Sequence, residues 1–295
     1  MTDENFLPCR MNKPQVADNF FSELMVVLVI YKMDIGESSA FTSLTDALRF
    51  VNQKTSVLIY DNSPYPHKHS NTVNENWVVS YRNDPSNPGV SKAYNEGFKH
   101  AKEKAKKWML LSDQDTRFPA TFFESVGTSM TNHPADELFA PIIKGDSKLI
   151  SPFRFKFGKG FVLQSIEVQC YSLDELKFIN SGLLISTTLF EKCNGYDERF
   201  PLDFSDLAFI QRLKKYNDKF IVIKATCSHN LSSDERTFSK SVNRFAHFVN
   251  ASRMYGRIYN QRLIFFVSRS LRAIKLSFRF RSLGFIKCLF NLSNS

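Results

Sequence analysis

The chain has 295 residues and a mass of 34.0 kDa, which is long enough for one large domain or two small ones with a sizeable core. Hydrophobic residues make up 43% and charged residues 23% of the chain, which excludes a mainly disordered protein. The five cysteines are scattered and include no C-x-x-C pair, which argues against a disulfide framework or a cysteine-rich zinc site and favours a reducing, cytoplasmic compartment. No signal peptide is visible, and the apolar run from Leu24 to Tyr31 is too short to span a bilayer.

The net charge of +10 is distributed unevenly along the chain. The last 60 residues contain 12 of the 39 Lys+Arg and none of the 29 Asp+Glu, so they carry +12 and the preceding residues carry −2. We therefore expect a near-neutral body and a basic C-terminal region, residues 236–295.

Strand and helix patterns alternate after a polar leader, residues 1–22. The continuous apolar run Leu24–Tyr31 predicts a strand buried on both faces, and apolar residues spaced by three and four between Phe41 and Val51 predict a helix. The next predicted elements are strands over Ser56–Tyr60 and Trp77–Tyr81, a helix over Ala93–Lys106 and a strand over Trp108–Leu111. This order is typical of an α/β domain with a mostly parallel sheet.

The second half of the body is less regular. Residues 144–176 have no clear period and are interpreted as an irregular insertion. Beyond them, the sequence predicts a strand over Phe178–Ser186, a helix over Asp206–Lys215 and a strand over Phe220–Lys224. The body thus extends over residues 23–235, and a basic helical region follows.

Acidic residues stand at two of the predicted strand ends, where open α/β sheets bind ligands. Asp61 ends one strand, and Asp113 and Asp115 end another. In an extended segment, residues two apart point to the same side, so Asp113 and Asp115 can hold one hard cation such as Mg²⁺ or Mn²⁺. The alternative is a solvated acidic turn.

Two further segments allow both a functional and a purely structural interpretation. Small residues between Gly89 and Gly97 let a helix N-terminus approach a ligand, or they serve only a tight loop and a closely packed helix. Asp203 and Asp206 share one helix face, so that one of them can act as a proton acceptor, or both serve only to stabilise the start of a helix.

The order and spacing of six motifs resemble those of family 2 glycosyltransferases, over about residues 24–232. The rhamnosyltransferase-like enzymes of bacterial O-antigen and capsule assembly are the most similar branch. The motifs are Val27–Tyr31, Ile59-Tyr60-Asp61-Asn62-Ser63, Asn87-x-Gly89-x-Ser91-x-Ala93-x-Asn95-x-Gly97, Leu110-Leu111-Ser112-Asp113-Gln114-Asp115, Asn180-Ser181-Gly182 and Asp206-x5-Arg212.

The resemblance implies a GT-A fold, a nucleotide-diphosphate sugar donor, a divalent metal ion (Mg²⁺ or Mn²⁺) and an inverting single displacement onto a glycan, here a lipid-linked one. The roles that it implies for single residues are these: Asp206 as catalytic base; Tyr31, Asp61, Asn95, Asp113 and Asp115 on the donor side; Asn180, Ser181, Gly182 and Asp203 on the sugar and acceptor side; and Asp113, Asp115 and His229 at the metal. An ordinary surface histidine is the alternative for His229.

The sequence departs from the family pattern at two positions, both next to residues with implied roles. Lys32 replaces the asparagine usual after the tyrosine, and Ala208 stands where a second acid often follows the base. The first departure concerns the site of the nucleoside base, and the second concerns acceptor contacts.

Two other functions are compatible with part of the sequence. A nucleotidyltransferase shares the α/β sheet and the acidic metal site, but Tyr31–Glu37 contains one glycine and lacks the usual glycine-rich phosphate loop. A nucleic-acid-binding protein would agree with the pI of about 9.3, but the basic charge is confined to the last 60 residues, so we expect no nucleic-acid partner.

The basic region has the pattern of a helix that lies in a membrane interface. On a helix of 100° per residue, Leu271, Ile274 and Phe278 are separated from the basic residues Arg269, Arg272, Lys275 and Arg279. We therefore expect residues 236–295 to bind an anionic membrane surface peripherally, on the inner face of the cell membrane. The alternative is a C-terminal helix that packs on the body or on a second subunit.

Overall fold

The computed structural model describes residues 19–66, 75–146, 148–229 and 237–290. Its α-helices are α1 (Phe20–Glu23), α2 (Ser39–Phe50), α3 (Val90–Glu103), α4 (Phe122–Asn132), α5 (Thr187–Lys192), α6 (Ser205–Leu213), α7 (Phe238–Ile258), α8 (Arg262–Phe280) and α9 (Gly284–Phe290). Its strands are β1 (Leu24–Ile30), β2 (Thr55–Asp61), β3 (Trp77–Asn83), β4 (Trp108–Asp113), β5 (Thr116–Arg117), β6 (Leu138–Gly145), β7 (Lys148–Ser151), β8 (Arg154–Lys156), β9 (Lys159–Phe161), β10 (Cys170–Ser172), β11 (Leu184–Ser186) and β12 (Lys219–His229).

The central sheet is mixed, and eight of its strands lie side by side in the order β10-β12-β6-β11-β4-β1-β2-β3. The parallel pairs join the long strands: β1 with β2 and β4, β2 with β3, and β6 with β12. The antiparallel pairs involve the short strands β5, β7, β10 and β11. This architecture confirms the predicted α/β class with helices flanking the sheet.

Helices cover both faces of the sheet, because alternate residues of a strand point to opposite sides. Val26 and Leu28 of β1 belong to the hydrophobic cluster that includes α2 and α4. Met25 and Val27 belong to the cluster that includes α3, α5 and α6. All seven residues of β1 are buried, as the continuous apolar run predicts.

Residues 144–176 form short strands instead of one regular element. β7 pairs with β6, β8 pairs with β9 in a separate hairpin, and β10 pairs with the start of β12. The predicted strand Phe178–Ser186 is shorter than expected, since only Leu184–Ser186 pairs in the sheet. Residues 1–18 of the predicted leader lie outside the described residues, while Phe20 and Phe21 are buried in the core.

The C-terminal helices form an extension that packs on the body. Phe245, Ala273 and Phe285 join α7, α8 and α9 to one another. Tyr255 of α7 and Phe265 of α8 enter a second cluster with residues of the body around α6. In the described part of the chain, every helix is too short or too polar to cross a membrane.

Candidate active site

Three parallel strands bring polar residues to one edge of the sheet. Ile30 lies opposite Asp61 in the register of β1 with β2, and Val29 lies opposite Asp113 in the register of β1 with β4. Tyr31 follows β1 directly. The carboxyl ends of these strands therefore place Tyr31, Asp61 and Asp113 along one edge, where ligands bind in sheets of this kind.

Asp61 is fully buried at the end of β2. One of its carboxylate oxygens accepts a hydrogen bond from the Ser63 backbone N–H at 2.8 Å, and the other accepts one from the Tyr81 hydroxyl at 2.6 Å. The Asn83 side-chain amide donates to the carbonyl oxygens of Asp61 and Ser63. These contacts show that Asp61 orders the turn after β2.

Tyr31 is the more accessible residue on this side of the site. Its side chain is 39% exposed, and its backbone N–H donates to Oε1 of Gln114 at 2.6 Å. The ammonium group of Lys32 lies 5.0 Å from the centre of its ring. The ring of Tyr31, with the cation of Lys32 beside it, is therefore accessible to an incoming ligand. Next to Asp61, the side-chain oxygen of Asn62 is buried and accepts no hydrogen bond from a described residue.

Asp113 lies at the centre of the site. A carboxylate oxygen accepts a hydrogen bond from the Tyr94 hydroxyl at 2.7 Å, and its backbone N–H donates to Oγ of Ser181 at 3.0 Å. Burial raises the pKa of Asp113, and the nearby Asp115 carboxylate acts in the same direction. A positive charge placed here would be stabilised, since it would offset the charge of the Asp113 carboxylate and of the Asp115 carboxylate near it.

Strand β5 explains why His229 lies beside the Asp113-Gln114-Asp115 motif. It follows the motif directly and pairs with the end of β12, so that Thr116 lies opposite His229. Nδ1 of His229 is 2.9 Å from Oγ1 of Thr116 and 3.4 Å from Oδ1 of Asp115. The three residues implied as metal ligands thus lie in one region.

The surroundings of Asp115 indicate whether these residues could hold a cation. Oδ1 of Asp115 is buried and accepts no hydrogen bond from any described residue, although Nδ1 of His229 lies 3.4 Å away. A buried carboxylate oxygen without a donor is costly, and a cation would compensate it. Among the described residues, no group of three or more His, Cys, Asp or Glu side chains is close enough together to hold a metal ion. The residues therefore fit a site in which Asp113 and Asp115 supply the main protein ligands.

The segment Asn180–Gly182 connects this motif to helix α6. Ser181 is buried and donates to Oγ1 of Thr116 at 2.8 Å. Asn180 donates to Oγ of Ser205 at 3.0 Å and accepts a hydrogen bond from the Tyr196 hydroxyl at 2.8 Å. These side chains hold the acidic motif and the start of α6 in a fixed relation.

Gly182 permits the turn in this segment. Its φ is +81°, in the left-handed region that favours glycine, and an added Cβ would lie 2.5 Å from Cγ of Pro141. The backbone N–H of Gly182 donates to the carbonyl oxygen of Leu111 at 2.7 Å. The turn therefore depends on a residue without a side chain.

Asp206 lies in the first turn of α6, after Phe204, whose φ of +65° is left-handed. One carboxylate oxygen of Asp206 accepts a hydrogen bond from the Leu207 backbone N–H at 2.8 Å. Burial raises the pKa of Asp206 from 3.8 to about 6, and the carboxylates of Asp113 and Asp203 act in the same direction. A carboxylate with this pKa is ionised at neutral pH and is a stronger proton acceptor than an ordinary one.

Asp203, the other acid of this segment, forms an ion pair with Arg244 of α7. Asp203 thus connects the segment before α6 to the C-terminal helices. Since this carboxylate already has a cationic partner, Asp206 is the better placed of the two to accept a proton.

Asn95 lies on α3 and contacts a loop of the body. Its side-chain oxygen accepts a hydrogen bond from the Tyr196 N–H at 2.8 Å, and its amide donates to the Tyr196 carbonyl at 3.0 Å and to Oε1 of Glu198 at 2.9 Å. These bonds hold the loop that carries Tyr196, whose hydroxyl contacts Asn180. Asn95 is therefore placed behind the site as a support of that loop.

Several residues of the site do not emerge from sequence reasoning. Tyr94 lies inside the motif from Gly89 to Gly97, but nothing in the sequence pairs its hydroxyl with Asp113. Thr116, Tyr196 and Gln114 form contacts across large sequence separations. The only available signal was the position of Gln114 and Thr116 within and directly after the acidic motif.

Comparison with solved structures shows a similar fold in the glycosyltransferase TarS of S. aureus. One TarS crystal structure has a TM-score of 0.50 at 16% identity and covers 81% of this chain and 43% of its own. Residues 1–349 of TarS have a TM-score of 0.50 at 12% identity, and the match covers 88% of this chain and 92% of that one. No family model and no curated protein matches.

The likeness to TarS concerns the fold. This chain has a mixed α/β architecture with a curled central sheet flanked by helices, similar to that of TarS, and it has a C-terminal helical extension. The chain spans less than half the length of the longer TarS structure. The predicted fold class, including that extension, is confirmed.

Proposed function

We propose that the chain is an inverting, metal-dependent glycosyltransferase of the family 2 type. It moves a sugar, rhamnose or another hexose, from a nucleotide-diphosphate sugar to a lipid-linked glycan in surface polysaccharide synthesis, as in the rhamnosyltransferase-like branch of O-antigen and capsule assembly. The observation that carries the proposal is the arrangement of Asp206, whose pKa is about 6, near the paired carboxylates Asp113 and Asp115 at one edge of the sheet. The fold likeness to TarS supports it.

Asp113 and Asp115 would hold Mg²⁺ or Mn²⁺, and His229 is the further ligand in reach of Asp115. When bound, the cation offsets the negative charge that develops on the departing diphosphate. Oγ of Ser181 accepts a hydrogen bond from the Asp113 backbone N–H and so holds Asp113 in place, and the Tyr94 hydroxyl orients the Asp113 carboxylate. The donor side would extend from this point to the exposed ring of Tyr31.

Asp206 accepts the proton of the acceptor hydroxyl as that oxygen attacks the anomeric carbon. The proton has to move to a group that is ionised before the reaction and basic enough to hold it afterwards, and a pKa of about 6 meets both conditions at neutral pH. Attack from the side of Asp206, opposite the diphosphate, inverts the configuration of the anomeric carbon. The connection from Asn180 through Ser205 keeps α6 at the required distance from the acidic motif.

We further propose that the enzyme is cytoplasmic and peripheral on the inner face of the cell membrane, bound to anionic lipid through residues 236–295. A lipid-linked acceptor is confined to that surface, so attachment would keep enzyme and acceptor together. The excess basic charge is confined to the last 60 residues of the chain, whereas the body carries −2, which again favours lipid over nucleic acid as the partner.

Incubation with a panel of nucleotide-diphosphate sugars and Mg²⁺ or Mn²⁺ tests the function. We expect slow release of a nucleoside diphosphate from one donor, faster in the presence of a lipid-linked glycan. Release of pyrophosphate from a nucleoside triphosphate would instead identify a nucleotidyltransferase. Release of neither product from any donor would contradict both functions.

A further inference from the structure

Helix α8 has two faces with opposite surroundings. Phe265 and Ala273 are fully buried against the body and the neighbouring helices. On the other side, five large apolar residues that are between 45% and 81% exposed follow one another at spacings of four, four, three and four: Leu263, Val267, Leu271, Ile274 and Phe278. This spacing places them on one side of a helix, and we call them the apolar stripe of α8.

Positive charge lies directly beside the apolar stripe. Lys275 and Arg279, both exposed, each follow a residue of the stripe in sequence. Three arginines, Arg244, Arg272 and Arg279, are among the residues that line one cleft between α7 and α8. Residues 236–295 contain no Asp or Glu, but Asp203 of the body pairs with Arg244. The exposed Lys275 and Arg279 are therefore the cations of α8 beside the stripe on which the argument rests.

An apolar stripe with positive charge beside it favours some partners of this surface over others. A second copy of the chain, bound by the same face, would bring two regions of charge +12 together, which disfavours a symmetric dimer. An anionic phospholipid surface offers acyl chains to the stripe and phosphate groups to the flanking Lys and Arg. No described helix could span the bilayer, so the contact would be interfacial.

We propose that the apolar stripe of α8 lies in the interface of an anionic phospholipid membrane, with the flanking Lys275 and Arg279 facing lipid phosphates. The surface adjoins the site, because Phe265 on the buried face of α8 packs on Phe204, two residues before Asp206. One helix, about 10 Å thick, thus separates the lipid-facing stripe from the turn that begins α6. Contact of α8 with the membrane would bring the proposed transferase to its lipid-linked acceptor. The benefit rests on the proposed function, but lipid binding itself does not depend on catalysis.

The test uses the full chain, because removal of α8 would also remove Phe265 from the cluster beside α6. The variant is Leu271→Ser/Phe278→Ser, which takes two apolar side chains from the stripe without a change of charge. The matched control is Val78→Ser/Tyr216→Ser, which alters two similarly exposed residues of the body. Binding is measured by co-sedimentation with vesicles of phosphatidylglycerol and phosphatidylcholine, and with vesicles of phosphatidylcholine alone.

We expect wild type and control to bind the anionic vesicles equally, and the stripe variant at least about tenfold more weakly. Lys275→Gln and Arg279→Gln should each weaken binding about fivefold, and high salt should remove this difference. Equal binding of wild type and stripe variant, or binding indifferent to lipid charge, would overturn the proposal. So would a wild type that ignores vesicles but forms dimers that the stripe variant lacks. Since no sugar donor is present, a failed vesicle assay and a failed transfer assay are separate results.

Discussion

Replacing Asp206 by Asn should lower activity and raise stability at the same time. The amide has the shape of the carboxyl group and can still accept the hydrogen bond from the Leu207 N–H. What it removes is a charge in a partly buried position, where the pKa of the carboxyl is about 6 instead of 3.8. A purely structural helix-capping acid would show the opposite effect, since loss of a stabilising first-turn charge costs stability.

The sign and size of the stability effect follow from linkage. Because the pKa of Asp206 is higher in the folded than in the unfolded chain, folding favours the protonated form, and the free energy of unfolding falls as pH rises from about 4 to about 6. A shift from 3.8 to about 6 corresponds to about 3 kcal/mol once the group is ionised. Asp206→Asn should therefore resemble wild type near pH 4 and be more stable by up to about 3 kcal/mol above pH 7.

The activity of the variant should change in the other direction. General-base catalysis contributes about 10² to 10⁴ in rate, so kcat should fall by that factor with little change in the affinity for the donor. In wild type, the rate should rise with pH through a midpoint near 6, the pKa of Asp206. That rise should be absent from the residual activity of the variant.

Two measurements check these expectations: urea unfolding of both proteins across the pH range, and release of nucleoside diphosphate. Asp203→Asn is the control, because it removes the ion pair with Arg244 and should give no gain in stability at high pH. If Asp206→Asn unfolds with the same pH dependence as wild type, Asp206 does not have a raised pKa and the reasoning fails. If Asp203→Asn shows the large loss of kcat and Asp206→Asn does not, the two acids have exchanged roles.

Three other substitutions test single parts of the structure. Asp115→Ala should abolish transfer and leave the circular dichroism spectrum unchanged; full activity of this variant in excess EDTA would exclude a metal at this position. Gly182→Ala should destabilise the fold by more than about 1 kcal/mol in urea unfolding, because its φ is +81° and the new Cβ would meet Pro141 at 2.5 Å. Phe265→Ala should cost about 3–5 kcal/mol in the same assay, whereas the adjacent, half-exposed Phe266 should tolerate alanine; equal costs at both positions would contradict the packing of α8 described above.

The parallel core of the fold was predictable because its signals are local. The buried run Leu24–Ile30 and the helical spacing between Phe41 and Val51 each reflect the burial pattern of one element. The short strands were not predictable in this way. Strand β5 has two residues, and its pairing with the end of β12 depends on a register between segments more than a hundred residues apart.

The prediction of a strand over Phe178–Ser186 was wrong at its start for a local reason. An apolar run with small residues inside it has the composition of a buried strand, but the left-handed Gly182 interrupts the extended backbone. The residues before it serve the site: Asn180 and Ser181 bond to Ser205 and Thr116. The conflict between strand pattern and turn residue therefore coincided with a segment that links the acidic motif to α6.

The acidic edge of the site was predictable from strand ends alone, whereas its supports were not. Parallel strands carry Asp61 and Asp113 to the same edge whatever their neighbours are. The Tyr94 hydroxyl reaches Asp113 only because α3 packs on that face of the sheet, and this packing follows from the whole core. The acidic residues proposed for the site thus left a trace in the sequence, and the residues that position them did not.

The C-terminal helices show why two interpretations that seemed to compete are compatible. The pattern of α8 predicted either a membrane-facing helix or a helix packed on the body, and the structure shows packing through Phe265 and Ala273. Packing alone requires one apolar face, yet α8 has a second one, the stripe from Leu263 to Phe278, on its outer side. Burial of apolar surface is favourable by about 25 cal/mol per Å², and the exposed stripe does not obtain this free energy in water. A helix that served only to cover the body would gain solubility from polar residues at those positions, so the stripe is best explained by a partner that buries it.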